Sequence, residues 1–446
     1  MAKKASIQYV CANCGAVYTR WAGKCSSCGE WNTISEQLDV ASALTSSGRG
    51  LKAAHIKDVD TTEDAGRLPT NIPEIDQVLG GGFVKASVNL IAGQPGIGKS
   101  TILLQVAAAI GEHHDVLYVS GEESIAQVKL RSNRLGTNAA KLSLVTSNSA
   151  DDIAATIAEA TYDLVIVDSI QTITIGAISS AAGSVSQITN STQLLTLAAK
   201  NSKTALILVG HVTKEGAIAG PKVLEHLVDV VLNLEGDRYG GFKLLRAIKN
   251  RFGSTNEAGI FEMTEKGMMP VSNPSAALLA ERQMSDGSIV MATMEGTRPI
   301  LVEVQALVSP TSFGYPKRAA SGIDLNRVTL LIAMLTRRTK LNLSEMDVYV
   351  NIVGGIRITE PAADLAVCMA IASAAKGMML KKNVVVFGEV GLSGEVRHVP
   401  MIERRIDEAK KLGFDGALGP KSSKKSAFLT SVSSVREALN TFLEKD

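Results

Sequence analysis

The sequence predicts an α/β protein. Its main body is a mostly parallel sheet flanked by helices, with a small metal-bound knuckle ahead of it and an α+β segment behind it. Three observations carry this expectation. Apolar strand-like runs alternate with helical stretches from about residue 87 to 250, the pattern of parallel βαβ units. A Gly-rich loop joins one of these strands to a helix. Four of the five cysteines lie within the first 28 residues.

Composition agrees. The chain has 446 residues, of which 45% are hydrophobic, enough for two or three cores. Aromatics are only 4% and glycines number 39, which favours α/β domains over a β-sandwich. The net charge of +2 leaves nucleic-acid contact to local patches. No apolar run reaches the length of a membrane span, and "MAKKASIQYV" lacks the apolar core of a signal peptide. A cytoplasmic protein without a membrane partner is expected.

The knuckle, residues 1–34, is "CANCGAVYTRWAGKCSSCGEW". Cys11, Cys14, Cys25 and Cys28 form two C-x2-C pairs ten residues apart, and Gly15 and Gly29 close the turns. Thiolates so paired can meet at one tetrahedral Zn²⁺, and metal binding stabilises a segment too short for a core of its own. Lys3, Lys4, Arg20 and Lys24 with Tyr9, Tyr18, Trp21 and Trp31 would suit nucleic acid. Most of these aromatics are expected to pack the small core instead. A polar linker, about residues 35 to 62, follows.

In residues 63–270, "SVNLIAGQPGIGKSTILLQ" reads as strand, loop and helix. The loop residues Gly93, Gln94, Pro95, Gly96, Ile97 and Gly98 offer backbone N–H groups to phosphate. Lys99 reaches the β and γ oxygens, Ser100 offers a hydroxyl to Mg²⁺, and Thr101 follows on the helix, whose positive end adds to the cradle. ATP and Mg²⁺ are the implied cofactors. "YDLVIVDS" ends a strand in Asp168, placed for the Mg²⁺ and its waters. "DVLYVSGEES" ends near Glu122 and Glu123; either can polarise the attacking water, or both can cap the next helix, and Glu122 is preferred. "TALILVGHVTKEG" ends in His211, followed by Thr213 and Lys214, where a polar group can sense the γ-phosphate. His113, His114 and His226 are expected on the surface.

"NIPEIDQVLGGGFVKAS" ahead of the loop is similar to the segment that precedes the P-loop in RecA-type ATPases. With the four cysteines and "KNRFG", the chain resembles, over essentially its whole length, the bacterial RadA (Sms) family of DNA-repair ATPases. That resemblance implies a RecA-like core and ATP hydrolysis in homologous recombination and the DNA-damage stress response. It further implies binding of single-stranded DNA, hexameric rings, and branch migration of recombination intermediates alongside RecA. It places Lys249 and Arg251 in the family's signature motif. Because RecA-type ATP sites lie between subunits, these cations either reach a neighbour's γ-phosphate in trans or hold DNA phosphates. Gly253 would allow a tight turn and Phe252 would anchor the loop. A switch ATPase that regulates protein partners without touching DNA is the alternative.

Residues 271–446 resemble the proteolytic domain of Lon. Ala362 stands where that domain has its serine and Glu403 near its lysine, so no peptidase activity is expected. Cys368 reads as a packing thiol. Arg404, Arg405, Lys410, Lys411, Lys421, Lys424 and Lys425, set against Asp407, Glu408 and Asp415, are either a DNA-facing surface or a solvated helix with paired charges.

Overall fold

The computed structural model describes residues 7–38, 66–211, 223–236, 242–312, 314–380, 383–424 and 426–444. Lys3, Lys4, Thr213, Lys214, Lys425 and all but the first four residues of the expected linker lie outside them. The chain divides into two units. The first holds residues up to 235 with 245–255 and 264–269; the second holds 236–244, 256–263 and everything from 270.

The first unit begins with a three-stranded antiparallel ribbon: β1 (Ile7–Cys11), β2 (Val17–Tyr18) and β3 (Ile34–Leu38). Gly15 and Gly29 adopt φ of +73° and +79°, and their N–H groups each donate to the carbonyl four residues back, Cys11 and Cys25, at 2.9 Å. These turns need the left-handed backbone that glycine adopts freely. Tyr9 and Tyr18 pack on Cys11, Cys25 and Ile34. Trp21 and Trp31 do not; they are 59% and 67% exposed. Four residues of the expected linker, 35–38, continue the ribbon. At Glu36 the carbonyl accepts from Ser186 Oγ at 2.5 Å and Asn190 Nδ2 at 3.3 Å.

Next comes the short helix α1 (Pro73–Leu79), followed by six strands: β4 (Val88–Gly93), β5 (Val116–Ser120), β6 (Leu142–Thr146), β7 (Leu164–Asp168), β8 (Ala205–His211) and β9 (Val230–Gly236). They run in the order β9-β4-β8-β7-β5-β6, all parallel. β10 (Phe242–Asn250), β11 (Ala258–Thr264) and β12 (Gly267–Pro270) bring the sheet to nine strands on the β9 side. Val88, Leu90, Val165, Val167, Leu206 and Leu208 share one buried cluster with residues of α4 (Ala150–Glu159) and α5 (Val185–Asn201). The residues between them, Ile91, Tyr118, Ile166 and Ile207, are buried too. Both faces are therefore covered, which is why the strands read as continuous apolar runs rather than alternating ones. Serines at 124, 149 and 184 start α3 (Ile125–Leu135), α4 and α5 by accepting a backbone N–H in the first turn.

In the second unit a seven-stranded sheet has the order β15-β16-β14-β13-β17-β18-β19. Its strands are β13 (Ser288–Glu295), β14 (Arg298–Pro310), β15 (Arg318–Ser321), β16 (Met346–Ile352), β17 (Val384–Val386), β18 (Gly416–Gly419) and β19 (Leu429–Ser431). Helix α7 (Asp364–Lys376) is buried from Asp364 to Ser373. It shares a core with α6 (Leu325–Thr339) and α9 (Val435–Phe442). Among the described residues no helix is long and apolar enough to cross a membrane.

The largest fully buried side chain is Arg405, on α8 (Ile402–Lys411). Its guanidinium pairs with Glu360 and donates to the carbonyls of Ala292 at 2.5 Å and Pro400 at 3.2 Å. Glu360 also accepts from Thr293 Oγ1 and Met294 N at 2.9 Å. Four bonds hold the buried guanidinium, and removing it leaves the mostly covered Glu360 carboxylate without its countercharge. Arg405→Met is expected to destabilise the second unit by about 3–5 kcal/mol, seen as an earlier transition in thermal denaturation followed by circular dichroism. An unshifted transition would show that the pair contributes little.

Candidate active site and metal centre

The phosphate loop leaves β4 at Gly93. A Cβ there would lie 2.7 Å from the Leu234 carbonyl oxygen, so β9 admits only glycine at that point. Gly96 and Gly98 take φ of +78° and +112°, which turns the loop without a side chain in the way. Gln94, Pro95 and Gly96 are exposed, while Ile97 is buried and ties the loop to the core. α2 (Lys99–Gly111) then starts at Lys99, with Ser100 and Thr101 partly exposed on its first turn.

Lys99 is 4% exposed. Its Nζ donates to the carbonyls of Gly93 at 2.8 Å and Gln94 at 3.1 Å. Burial lowers its pKa to about 8, against the opposing pull of the Asp168 and Glu122 carboxylates. Three residues expected at the site therefore lie in one electrostatic neighbourhood.

Sheet register explains how. His211 at the end of β8 pairs with Gly93, and Asp168 at the end of β7 pairs with Ser120. The carboxyl ends of four strands thus converge beside the loop. Asp168 Oδ2 accepts from the Tyr118 hydroxyl at 2.6 Å, and the peptide after Asp168 is cis. Glu122 Oε1 accepts from Ser169 Oγ at 2.5 Å, with His211 Nε2 at 3.6 Å. Glu123 instead forms an ion pair with Arg131. The two adjacent glutamates are thereby sorted: one faces the loop, the other is engaged on α3.

Lys249 and Arg251 are not in this neighbourhood. Lys249 Nζ donates to the carbonyls of Glu225 at 2.6 Å and Val228 at 2.7 Å, satisfying the end of the short helix Val223–Leu227. Arg251 Nη1 pairs with Asp229 Oδ1 at 2.9 Å. Asp229 Oδ2 accepts from Val88 N at 3.1 Å, the first residue of β4. The cations therefore sit at the amino end of the strand whose carboxyl end is the phosphate loop. The strand runs from Val88 to Gly93, and its five steps of ~3.3 Å put about 17 Å between the two ends. Asp229 is 7% exposed on its side chain and Arg251 56%, so the outer guanidinium faces solvent. Phe252 is 36% exposed and does not anchor the turn through its ring; its carbonyl does so, accepting from Arg67 Nη2 at 2.7 Å. Gly253 does not use the left-handed region; a Cβ would meet Asn250 Nδ2 at 3.1 Å.

The four cysteine sulfurs lie within 4.8 Å of one another. Cys11 and Cys28 are 3.7 Å apart and Cys14 and Cys25 3.6 Å. A tetrahedron with Zn–S bonds of about 2.3 Å has edges near 3.8 Å, so these donors fit zinc. The Tyr18 hydroxyl, 3.1 Å from Cys25 Sγ, draws that thiol's pKa down to about 6.

The basic run in the second unit is divided between the fold and exposed charge pairs. Arg405 is buried, Arg404 donates to the Thr297 carbonyl, and Lys410, Lys411 and Lys424 pair with Asp407, Glu408 and Glu403. The paired-charge alternative describes it better than a DNA-facing surface. Ala362 is buried and Glu403 exposed. Burial raises the Cys368 thiol pKa far above the usual range, in keeping with a packing role. His113 and His226 are exposed, and half-buried His114 lies 3.3 Å from Asp163.

Sequence reading missed Tyr118, Ser169, Asp229 and Arg67. Tyr118 and Asp229 carried a faint signal, each being a polar group within or just before an apolar strand.

Comparison with known proteins gives three family-model matches: an AAA domain over residues 53–217, a rubredoxin metal-binding domain over 9–36, and the ChlI subunit of Mg-chelatase over 325–423. The DNA repair protein RadA of Bacillus subtilis is 48% identical, covering 99% of this chain and 100% of that one. The DNA repair protein RadA of Brucella abortus is 47% identical, covering 94% and 93%. A crystal structure of the RadB recombinase is 22% identical with a TM-score of 0.37, covering 46% of this chain and all of that one.

The lowered pKa of Lys99 has a measurable consequence. At pH 8.5 a lysine titrating at about 8 is mostly neutral, and a bound triphosphate favours its charged form. Nucleotide binding at that pH is expected to take up as much as about three-quarters of a proton. Calorimetry in buffers of different ionisation enthalpy measures this uptake, and Lys99→Arg should abolish it.

Proposed function

Since the chain belongs to the RadA family of DNA repair proteins, we propose that it is a DNA-dependent ATPase whose catalytic pocket is completed by a second copy of itself. One observation carries this reading. An intact phosphate loop and the exposed guanidinium of Arg251 occupy opposite ends of one buried strand, about 17 Å apart. Arg251 cannot serve its own chain's phosphates.

The roles follow from position. Lys99, already desolvated, gives its charge to the β and γ phosphates. The loop N–H groups from Gly93 to Gly98 and the start of α2 hold the remaining oxygens. Ser100 and Asp168 would hold Mg²⁺, which when bound neutralises phosphate charge. Glu122 orients the attacking water. His211, beside Glu122, relates that carboxylate to the end of β8. Arg251 reaches the adjoining copy's γ-phosphate, and Lys249 fixes the turn that presents it by capping the helix at Glu225 and Val228.

In a ring, such pockets repeat around a closed set of interfaces. We take the ring to be a cytoplasmic hexamer that binds single-stranded DNA and drives branch migration of recombination intermediates alongside RecA. Its zinc ribbon would be held by Cys11, Cys14, Cys25 and Cys28.

A second reading has support at that ribbon. Trp21, Trp31 and Val17 are exposed on that ribbon. An exposed apolar surface suits a protein partner.

Lys99→Ala should abolish hydrolysis. Arg251→Ala is expected to lower kcat by about 10³-fold while leaving equilibrium binding of labelled ATP within about twofold. Single-stranded DNA should stimulate the wild type with a steep salt dependence. Full activity in either variant would contradict the site. Indifference to DNA at every salt concentration would favour the protein-switch reading.

A further inference from the structure

We propose that Tyr118 is a positioning residue for the metal-bearing carboxylate: its hydroxyl pins one oxygen of Asp168 and leaves the other for the metal. This rests on the reading of Asp168 as a holder of Mg²⁺.

Tyr118 lies on β5 opposite Ile166 of β7, and Asp168 is two residues further along β7. That is the diagonal cross-strand relation which a long side chain can span. Tyr118 is 2% exposed. A phenol that deep in an apolar sheet needs a polar partner, and the one it has is Asp168 Oδ2, at 2.6 Å. The distance is that of an O–H donor to a charged carboxylate. The carboxylate cannot donate, so the tyrosine must, and the bond's direction is fixed.

Two consequences follow. The Asp168 side chain loses its freedom to turn about its terminal torsion, because Oδ2 is held in the core. Oδ1 is then the oxygen left to take a metal. The carboxylate that also draws on Lys99 is thereby set in one orientation before any nucleotide arrives, which lowers the ordering cost of binding. A phenylalanine would fill the same space between the strands and lack only this bond.

The test is equilibrium fluorescence titration with a mant-labelled, non-hydrolysable ATP analogue. Wild type, Tyr118→Phe, Asp168→Asn and the double variant are each measured with Mg²⁺ and with EDTA. Mg²⁺ should tighten binding to the wild type. Tyr118→Phe should lose about tenfold of that gain, with the affinity in EDTA unchanged. Asp168→Asn should lose all of it, and adding Tyr118→Phe to Asp168→Asn should cost nothing more. If Tyr118→Phe keeps the full Mg²⁺ gain while Asp168→Asn loses it, the positioning role is overturned and the site stands. If Tyr118→Phe weakens binding equally in both conditions, its role is packing alone and the inference also fails. If Asp168→Asn keeps the full gain, the metal assignment falls first and the inference falls with it.

Discussion

The pairing of Asp229 with Arg251, beneath the first residue of a buried strand, fixes the Arg251 guanidinium at the end of that strand opposite the phosphate loop. Asp229 is held by the Val88 N–H at 3.1 Å and in turn holds Arg251 at 2.9 Å. Five residues later the same strand delivers Gly93 and the phosphate loop. A β-strand is stiff and of fixed rise, so the two charged ends cannot approach each other by side-chain motion. The distance that keeps Arg251 from its own pocket is the ground for the proposal that it serves another copy's.

Around the carboxyl end of that strand, the sheet gathers groups that sequence separates widely. Asp168 and Tyr118 are 50 residues apart and Ser169 and Glu122 47, yet parallel register puts them within one bond. Burial then adjusts their chemistry. Lys99, desolvated against the loop carbonyls, is held closer to neutrality than a surface lysine, so an arriving triphosphate replaces weak partners with strong ones. Arg131 engages Glu123, while its neighbour Glu122 accepts from Ser169 beside the loop. The second unit carries no such poised groups at the positions that resemble a peptidase. Ala362 is buried in the core, and two residues before it Glu360 is committed to Arg405.

Much of this was legible in the sequence because it is local. The loop from Gly93 to Thr101, the strand ends at Asp168 and His211, and the two cysteine pairs are each set by contiguous residues whose spacing the chemistry demands. The mostly parallel sheet with helices on both faces also followed from the alternation of apolar runs with helical stretches. What sequence could not reveal was set by tertiary contact. Lys249 reads as a free cation until Glu225 and Val228 are seen to end a helix under it. Phe252 reads as an anchor, yet Arg67, 185 residues away, grips its carbonyl and leaves the ring outside. Trp21 and Trp31 read as core in so small a ribbon, but two bonded cysteine turns with Ile34 and two tyrosines already fill it. The basic run from Arg404 reads equally as a surface patch or a paired-charge helix, and only the fold shows Arg405 buried and the lysines beside acidic partners.

Catalysis that depends on assembly makes one demand that no single-chain pocket shares. Arg251→Ala and Glu122→Gln should each be inactive alone, the first lacking the arginine lent to its neighbour and the second lacking its own water-orienting carboxylate. Mixed in equal amounts and allowed to exchange subunits, they form some interfaces with an intact Glu122 on one side and an intact Arg251 on the other. Steady-state ATPase activity of the mixture should recover to about one quarter of the wild-type rate, the fraction of randomly paired interfaces that are whole. A mixture that exchanges subunits yet stays as inactive as its components would contradict a pocket shared between copies.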